Sequence, residues 1–179
     1  MSHQKTIIAT INADIINNSF GKPYIKMSDE VYKALEITKT DPKKIDKVIV
    51  TIGPGSYTGV RMAVSVAKMM SVFAKIKLYS ISTLELMSSG YSGKVLASID
   101  ARRGNAFAAI IDVDTANYVL EEGLHEYVKL DEENVDFKVN ETNYKVNAIY
   151  CINNSKEVEE PHLLVPNYLR DTEAERNLK

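Results

Sequence analysis

A chain of 179 residues with 45% hydrophobic and 26% charged residues has the composition of a globular protein, long enough for one ordinary domain or two small lobes. A formal net charge of −2 gives no electrostatic pull on a nucleic-acid backbone, and one cysteine, Cys151, excludes an internal disulfide and fits a reducing cytosol. The polar start, Met1-Ser-His-Gln-Lys, lacks a secretory pattern. The longest apolar run, residues 60–78, is interrupted by Arg61, Lys68, Lys75 and Lys77, so no stretch reaches the roughly 20 residues of a membrane helix. A cytoplasmic protein without membrane contact is expected.

Residues 6–11 are β-rich, 14–20 mix apolar and amide residues, Gly21-Lys22-Pro23 is a turn, and 24–27 form a third extended piece, together an antiparallel meander. Ser28 is a predicted helix N-cap, with Asp29 and Glu30 in the first turn and Val31, Ala34 and Leu35 on one face. The run ends before Asp41-Pro42. Residues 47–52 form a predicted buried strand. A Gly/Pro turn then leads into a helix over about 60–75. A short strand follows at 78–81, and Ser82-Thr83 cap a helix through Ser88 with Glu85 in its first turn. Strands are predicted at 95–99 and 105–113, joined as a hairpin through Asp100-Ala-Arg-Arg-Gly104, where Gly104 is free to take positive φ. Residues 118–130 are expected to be extended, 131–141 a surface loop, and 146–152 a strand. The order predicts an α/β chain with a mixed sheet covered by helices.

The most informative stretch is Gly53-Pro54-Gly55-Ser56-Tyr57-Thr58-Gly59-Val60-Arg61, between a strand and a helix. Glycines allow close backbone approach and a helix N-terminus attracts anions, so the loop could cradle a phosphate. The other reading is a rigid turn with Ser56 or Thr58 as helix cap. The spacing matches neither a P-loop nor a dinucleotide fingerprint. The helix after it is apolar on nearly every side. Arg61, Ser65 and Lys68 form a narrow polar stripe, while Met62, Val66, Met69 and Phe73 recur at helical spacing. One apolar side suits the chain's own sheet. The stripe of four suits either a partner or the rest of the chain.

The Gly53–Arg61 stretch resembles the Gly-Pro-Gly-Ser-Phe-Thr-Gly-Leu-Arg signature of the TsaB (YeaZ-like) family. Three more segments agree in order. Ser80-Ile-Ser-Thr-Leu-Glu85 is similar to a Gly-Val-Ser-Thr-Leu segment. Ala97-Ser-Ile-Asp-Ala-Arg-Arg-Gly104 is similar to an Ala-Ile-Asp-Ala-Arg hairpin. Pro166-Asn-Tyr-Leu-Arg170, with Glu173-Ala-Glu175 after it, is similar to a Pro-x-Tyr-Leu-Arg ending. The N-terminal part departs from the family pattern: Ile11 stands where an aspartate of the actin-like nucleotide site would be, and Met27-Ser28-Asp29-Glu30 replaces a His-Ser-Glu. An isoleucine cannot help hold a metal-bound phosphate.

The resemblance implies an actin-like (ASKHA, ribonuclease H-like) α/β fold in two small lobes, 1–90 and 91–179. It also implies a non-catalytic subunit in the synthesis of threonylcarbamoyladenosine in tRNA. The implied partner is TsaD, the metal-containing transferase, with the ATPase TsaE joining the cycle, no cofactor in this chain, and tRNA reached only through the complex. The pairing surface, which can also serve a homodimer, would include Ser28, Tyr32, Met62, Val66, Met69 and Phe73. Gly53, Pro54, Gly55, Ser56, Thr58, Gly59 and Arg61 make the signature loop. The alternative is a weak ATPase or peptidase-like enzyme on the same fold.

For such an enzyme the candidate groups are sparse. His3, His125 and His162 are isolated and read as solvated histidines without metal-ligand spacing. Cys151 reads as a small core residue with no histidine to activate it. Asp100, Arg102 and Arg103 read as a polar turn or as a contact to substrate or partner. Ser56 lacks a nucleophile-elbow context.

Overall fold

The computed structural model describes residues 41–169, with Glu36 and Lys39. The expected N-terminal meander, the helix capped by Ser28, the Ile11 position, His3, Tyr32 and the tail from Arg170 lie outside the described residues. The described residues divide into two compact units, one formed by those up to Ile81 together with Ser155–Pro166, the other by Ser82–Asn154 with residues 167–169.

In the first unit, β1 (Lys47–Thr51) and β2 (Lys77–Ile81) pair in parallel, Val48 opposite Leu78 and Val50 opposite Ser80. The crossover between them is the 18-residue helix α1 (Tyr57–Ala74), as a parallel pair requires. The short β7 (Lys156–Glu157) pairs antiparallel to β2 on its other side. Val64 and Ala67 of α1 pack with Val50 and Leu78 of the sheet, and Val158 and Leu164 close the same cluster. β1 is only partly buried, with Val50 its one buried residue, which corrects the expected buried strand.

In the second unit the sheet runs β5-β4-β3-β6. β3 (Lys94–Asp100) and β4 (Asn105–Asp112) form the expected hairpin, and Arg102, Arg103 and Gly104 all turn through positive φ. Side chains alternate across the sheet. Val95, Ala97, Ala109 and Ile111 enter one cluster with Leu84 and Met87 of α2 (Thr83–Ser88), while Leu96, Ala106, Ala108 and Ile110 enter another on the opposite face. Both faces of these two strands are therefore buried, which accounts for their almost unbroken apolar sequence. Ser82 caps α2 as expected, accepting from Leu84 N at 3.1 Å and Glu85 N at 3.5 Å.

Three expectations are corrected in this unit. The stretch after Tyr118 is not extended throughout: β5 (Asn117–Glu126) gives way to the short helix α3 (Tyr127–Asp131), which buries Leu130. The expected surface loop 131–141 contains β6 (Phe137–Val139), parallel to β3, with Val139 in the core. The expected strand at 146–152 is the helix α4 (Ala148–Asn154). Asn147 Oδ1 accepts from Ile149 N at 3.0 Å and Tyr150 N at 3.2 Å, a side-chain cap that starts a helix where β-branched content suggested a strand.

Candidate functional site

The signature loop is spent on its own geometry. Gly53 takes φ 114°, a conformation that favours glycine, and Gly53 and Pro54 are both buried. A side chain on Gly55 would come within 3.2 Å of Val60 Cγ2. Ser56 is the N-cap of α1: its Oγ accepts from Gly59 N at 3.4 Å and its carbonyl from Val60 N at 2.9 Å. Arg61 donates to Tyr57 Oη at 2.8 Å and stacks over that ring. Thr58 is exposed. Of the two readings of this loop, the geometry carries the structural turn, with Ser56 rather than Thr58 as the cap.

α1 has two unlike faces. Val64, 3% exposed, and Ala67 point into the core, whereas Met69, Val72 and Phe73 are 52%, 55% and 83% exposed. Met62 and Val66 are half-buried and continue the same side. Of the stripe expected from helical spacing, Met69 and Phe73 are thus the open end and Met62 and Val66 its partly covered beginning. Val72, not singled out by the spacing, belongs with them. Lys68 follows Arg61 and Ser65 at helical spacing on the same side of α1 and is half-buried. Its ammonium donates to the carbonyls of His162 (2.8 Å) and Leu164 (3.0 Å).

The second unit holds a polar cluster that the sequence did not signal. Glu85 of α2 accepts from Tyr118 Oη and Tyr150 Oη, each at 3.3 Å. Tyr118 Oη also donates to Glu122 Oε1 at 3.2 Å, and Asn167 of the C-terminal motif donates to Glu122 Oε2 at 3.2 Å. Burial, then the carboxylates of Glu122 and Glu85, hold the Tyr118 hydroxyl far above its ordinary range. Burial and Glu85 do the same for Tyr150. Phenols held neutral in this way serve as hydrogen-bond donors, not as bases.

Cys151 is fully buried on α4, its Sγ 3.8 Å from Ser89 Oγ, and burial raises its thiol pKa, which suits a core residue rather than a nucleophile. His125 corrects the solvated reading: it is half-buried and its Nε2 is shielded from solvent. His162 is exposed, 3.4 Å from Glu160. Asp100 Oδ1 accepts from Arg102 N at 2.8 Å, the polar-turn arrangement. Among the described residues, no three His, Cys, Asp or Glu side chains gather in the manner of a metal site, and no helix is long and apolar enough to cross a membrane.

The family model described as "TsaD: tRNA N6-adenosine threonylcarbamoyltransferase" matches residues 25–141, more than half of the chain. A curated relative from Bacillus subtilis (strain 168), the tRNA threonylcarbamoyladenosine biosynthesis protein TsaB, is 26% identical over 93% of this chain and 87% of its own length. The protein of the same name from Escherichia coli (strain K12) is 39% identical over a shorter match, 32% of this chain and 27% of the relative. The chain belongs to this family, in its TsaB branch. Two solved structures from Pseudomonas aeruginosa have the same fold. An uncharacterized protein with similarity to the peptidase YEAZ superposes with TM-score 0.66 at 17% identity, covering 81% of this chain and 83% of that one. YeaZ superposes with TM-score 0.63 at 16% identity, covering 80% and 84%. The fold is thus the actin-like, ASKHA-type α/β fold, with mixed sheets covered by helices.

Proposed function

We propose that this chain is the non-catalytic partner subunit of a TsaD homologue in the complex that makes threonylcarbamoyladenosine in tRNA. Docking is through the exposed apolar side of α1: Met62, Val66, Met69, Val72 and Phe73. The observation that carries the reading is the helix itself. One face is committed to the core, and the other leaves three large apolar side chains in water, which marks a contact surface rather than a solvent face. Two methionines in the stripe suit a surface that must adapt to its partner. The names of the relatives support the pathway, and a TsaD family model matching the chain across α1 supports a partner built on the same helix. Ser28 and Tyr32, which the family resemblance adds to the pairing surface, lie outside the described residues, and a homodimer would compete for that surface. TsaE joins the complex and tRNA is bound through it.

The enzyme alternative fares worse. The loop that would cradle a phosphate is used to turn the chain and cap α1, and the buried thiol of Cys151 is no nucleophile. The deciding experiment is reconstitution of the modification from purified TsaD homologue, TsaE, threonylcarbamoyl donor and tRNA, with and without this chain. Modification should stop when the chain is omitted, and the chain alone should yield none. Full modification without it would reject the proposal.

A further inference from the structure

The turn between β3 and β4 carries two arginines that the docking helix leaves unused. The strands below it hold one register from the Lys94–Asp112 pair to the Asp100–Ala106 pair, so the turn stands on a fixed base. Arg102 and Arg103 pass through φ 65° and 56°, a left-handed backbone that glycine or asparagine adopts more readily than a long side chain does. The turn is closed without their side chains. Ala101 N donates to Asn105 O at 2.9 Å and Asn105 N to Arg102 O at 3.2 Å. Asp100 Oδ1 accepts from Arg102 N, and Asn105 Nδ2 donates to Arg103 O at 3.0 Å. Of the three arginines among the described residues, Arg61 is engaged with Tyr57. Arg102 and Arg103 are exposed, and neither guanidinium has a hydrogen bond, ion pair or ring contact there. Nothing among the described residues offsets the backbone strain of these two arginines.

The groups around the turn decide what it fits. Tyr127, at the start of α3, donates its backbone N–H to Gly104 O at 3.0 Å and is 37% exposed. The acids at the foot of the hairpin are engaged: Glu141 Oε1 accepts from Asp100 N at 3.1 Å, and Glu126, opposite Asn105, pairs with Lys129 at 3.4 Å. Burial, then the carboxylates of Asp100 and Glu141, hold the Tyr127 hydroxyl above its ordinary range, so it stays a neutral phenol. Val128 follows it and is 73% exposed. One aliphatic side chain is less than the apolar core around which a protein contact is built. Two forked guanidiniums beside an open aromatic ring suit unpaired RNA, in which the forks take phosphate oxygens and a base stacks on the ring.

We infer that the tip of this hairpin touches tRNA within the complex, with Arg102 and Arg103 on backbone phosphates and Tyr127 against a base. This rests on the subunit reading above. Two phosphate contacts are too few to hold tRNA without the partner, which agrees with the chain's net charge of −2.

The test uses the complex of this chain with the purified TsaD homologue and an unmodified tRNA transcript, by filter binding across a salt series, with thermal melting of each variant alone. Arg102→Asn with Arg103→Gly keeps a turn-forming pair and removes both guanidiniums. It should lower tRNA affinity about tenfold and reduce the slope of log affinity against log salt by about one to two. It should also melt like the parent and bind the TsaD homologue as the parent does. Arg102→Lys with Arg103→Lys should keep the slope. Tyr127→Leu should lose several-fold in tRNA affinity with the slope unchanged, and Tyr127→Phe, which keeps the ring, should bind like the parent. Should Tyr127→Leu melt lower, Tyr127→Gln replaces it under the same criterion. An affinity for tRNA within about twofold of the parent, in the variant without guanidiniums or in the one without the ring, would overturn the inference and leave the subunit reading standing. Weakened binding of the TsaD homologue by the variant without guanidiniums would make the tip a protein contact and overturn it as well. Failure of the parent chain to bind the TsaD homologue would reject the subunit reading, and the inference with it.

Discussion

The same substitution made on the two faces of α1 should act with opposite sign. Val64→Ala removes two carbons from a side chain that is 3% exposed and packed against Val50, Ala67 and Leu78. At about 0.8 kcal/mol per buried methylene, the lost transfer energy is about 1.6 kcal/mol, to which the residual cavity adds. Alanine's better helix propensity returns at most about 0.7 kcal/mol, so the net loss is about 1–2 kcal/mol. Val72→Ala changes a side chain that is 55% exposed on the same helix. It loses little burial and gains the same propensity, so it should be neutral or stabilising by about 0.5 kcal/mol. Urea unfolding followed by far-UV circular dichroism resolves this difference. With a slope of about 2 kcal/mol per molar, Val64→Ala should lower the midpoint by roughly 0.5–1 M, while Val72→Ala leaves it in place or raises it. Equal losses in both variants would mean that Val72 is packed in the free chain, and the open face of α1 would not exist.

Three more outcomes follow from single features. The hydroxyls of Tyr118 and Tyr150 are held above their ordinary value near 10, so the unfolded chain loses these protons first. Stability present below pH 10 should then decline as pH rises past it, and Tyr118→Phe with Tyr150→Phe should flatten that decline between pH 9 and 11 in urea titrations. Ser82→Ala removes the cap of α2 and should cost about 1 kcal/mol by the same assay. Gly93 sits at φ 70° with Asp136 Oδ2 2.3 Å from where a Cβ would stand, so Gly93→Ala should cost about 1–3 kcal/mol, read as a lower melting temperature.

What the sequence made legible is what short-range chemistry decides. Ser56 and Ser82 stand where helices must begin, and Gly104 closes a hairpin whose strands flank it directly. The stripe on α1 was legible in outline because helical spacing groups Met62, Val66, Met69 and Phe73. Spacing cannot tell which apolar side meets the sheet, and it left out Val72. What stayed hidden depends on distant residues. β6 is three residues long and is a strand only because β3 lies beside it. α4 was misread because seven residues rich in apolar side chains fit either period, and the arbiter was one amide, Asn147. The tether from Lys68 and the tyrosines around Glu85 join residues tens of positions apart, and no local pattern announces them.

The balance of charge bears on how the tRNA is held. The chain has 22 Lys and Arg against 24 Asp and Glu, and many described cations already have partners. Lys77 pairs with Glu157 at 3.3 Å, Lys129 with Glu126 at 3.4 Å and Lys138 with Asp131 at 3.1 Å, while Lys47 and Lys145 lie over Tyr79 and Tyr91. A surface arranged in this way releases few counterions from a phosphate backbone, and affinity for nucleic acid comes chiefly from that release. The isolated chain should therefore bind tRNA no tighter than the non-specific range of about 10⁻⁴–10⁻⁶ M at physiological salt, without preference among tRNAs. Filter binding across a salt series checks both the affinity and the slope. A sub-micromolar constant for this chain alone would show a phosphate-binding surface and would move tRNA recognition into this subunit. A weak constant would support the proposal that tRNA is reached through a partner docked on the apolar face of α1.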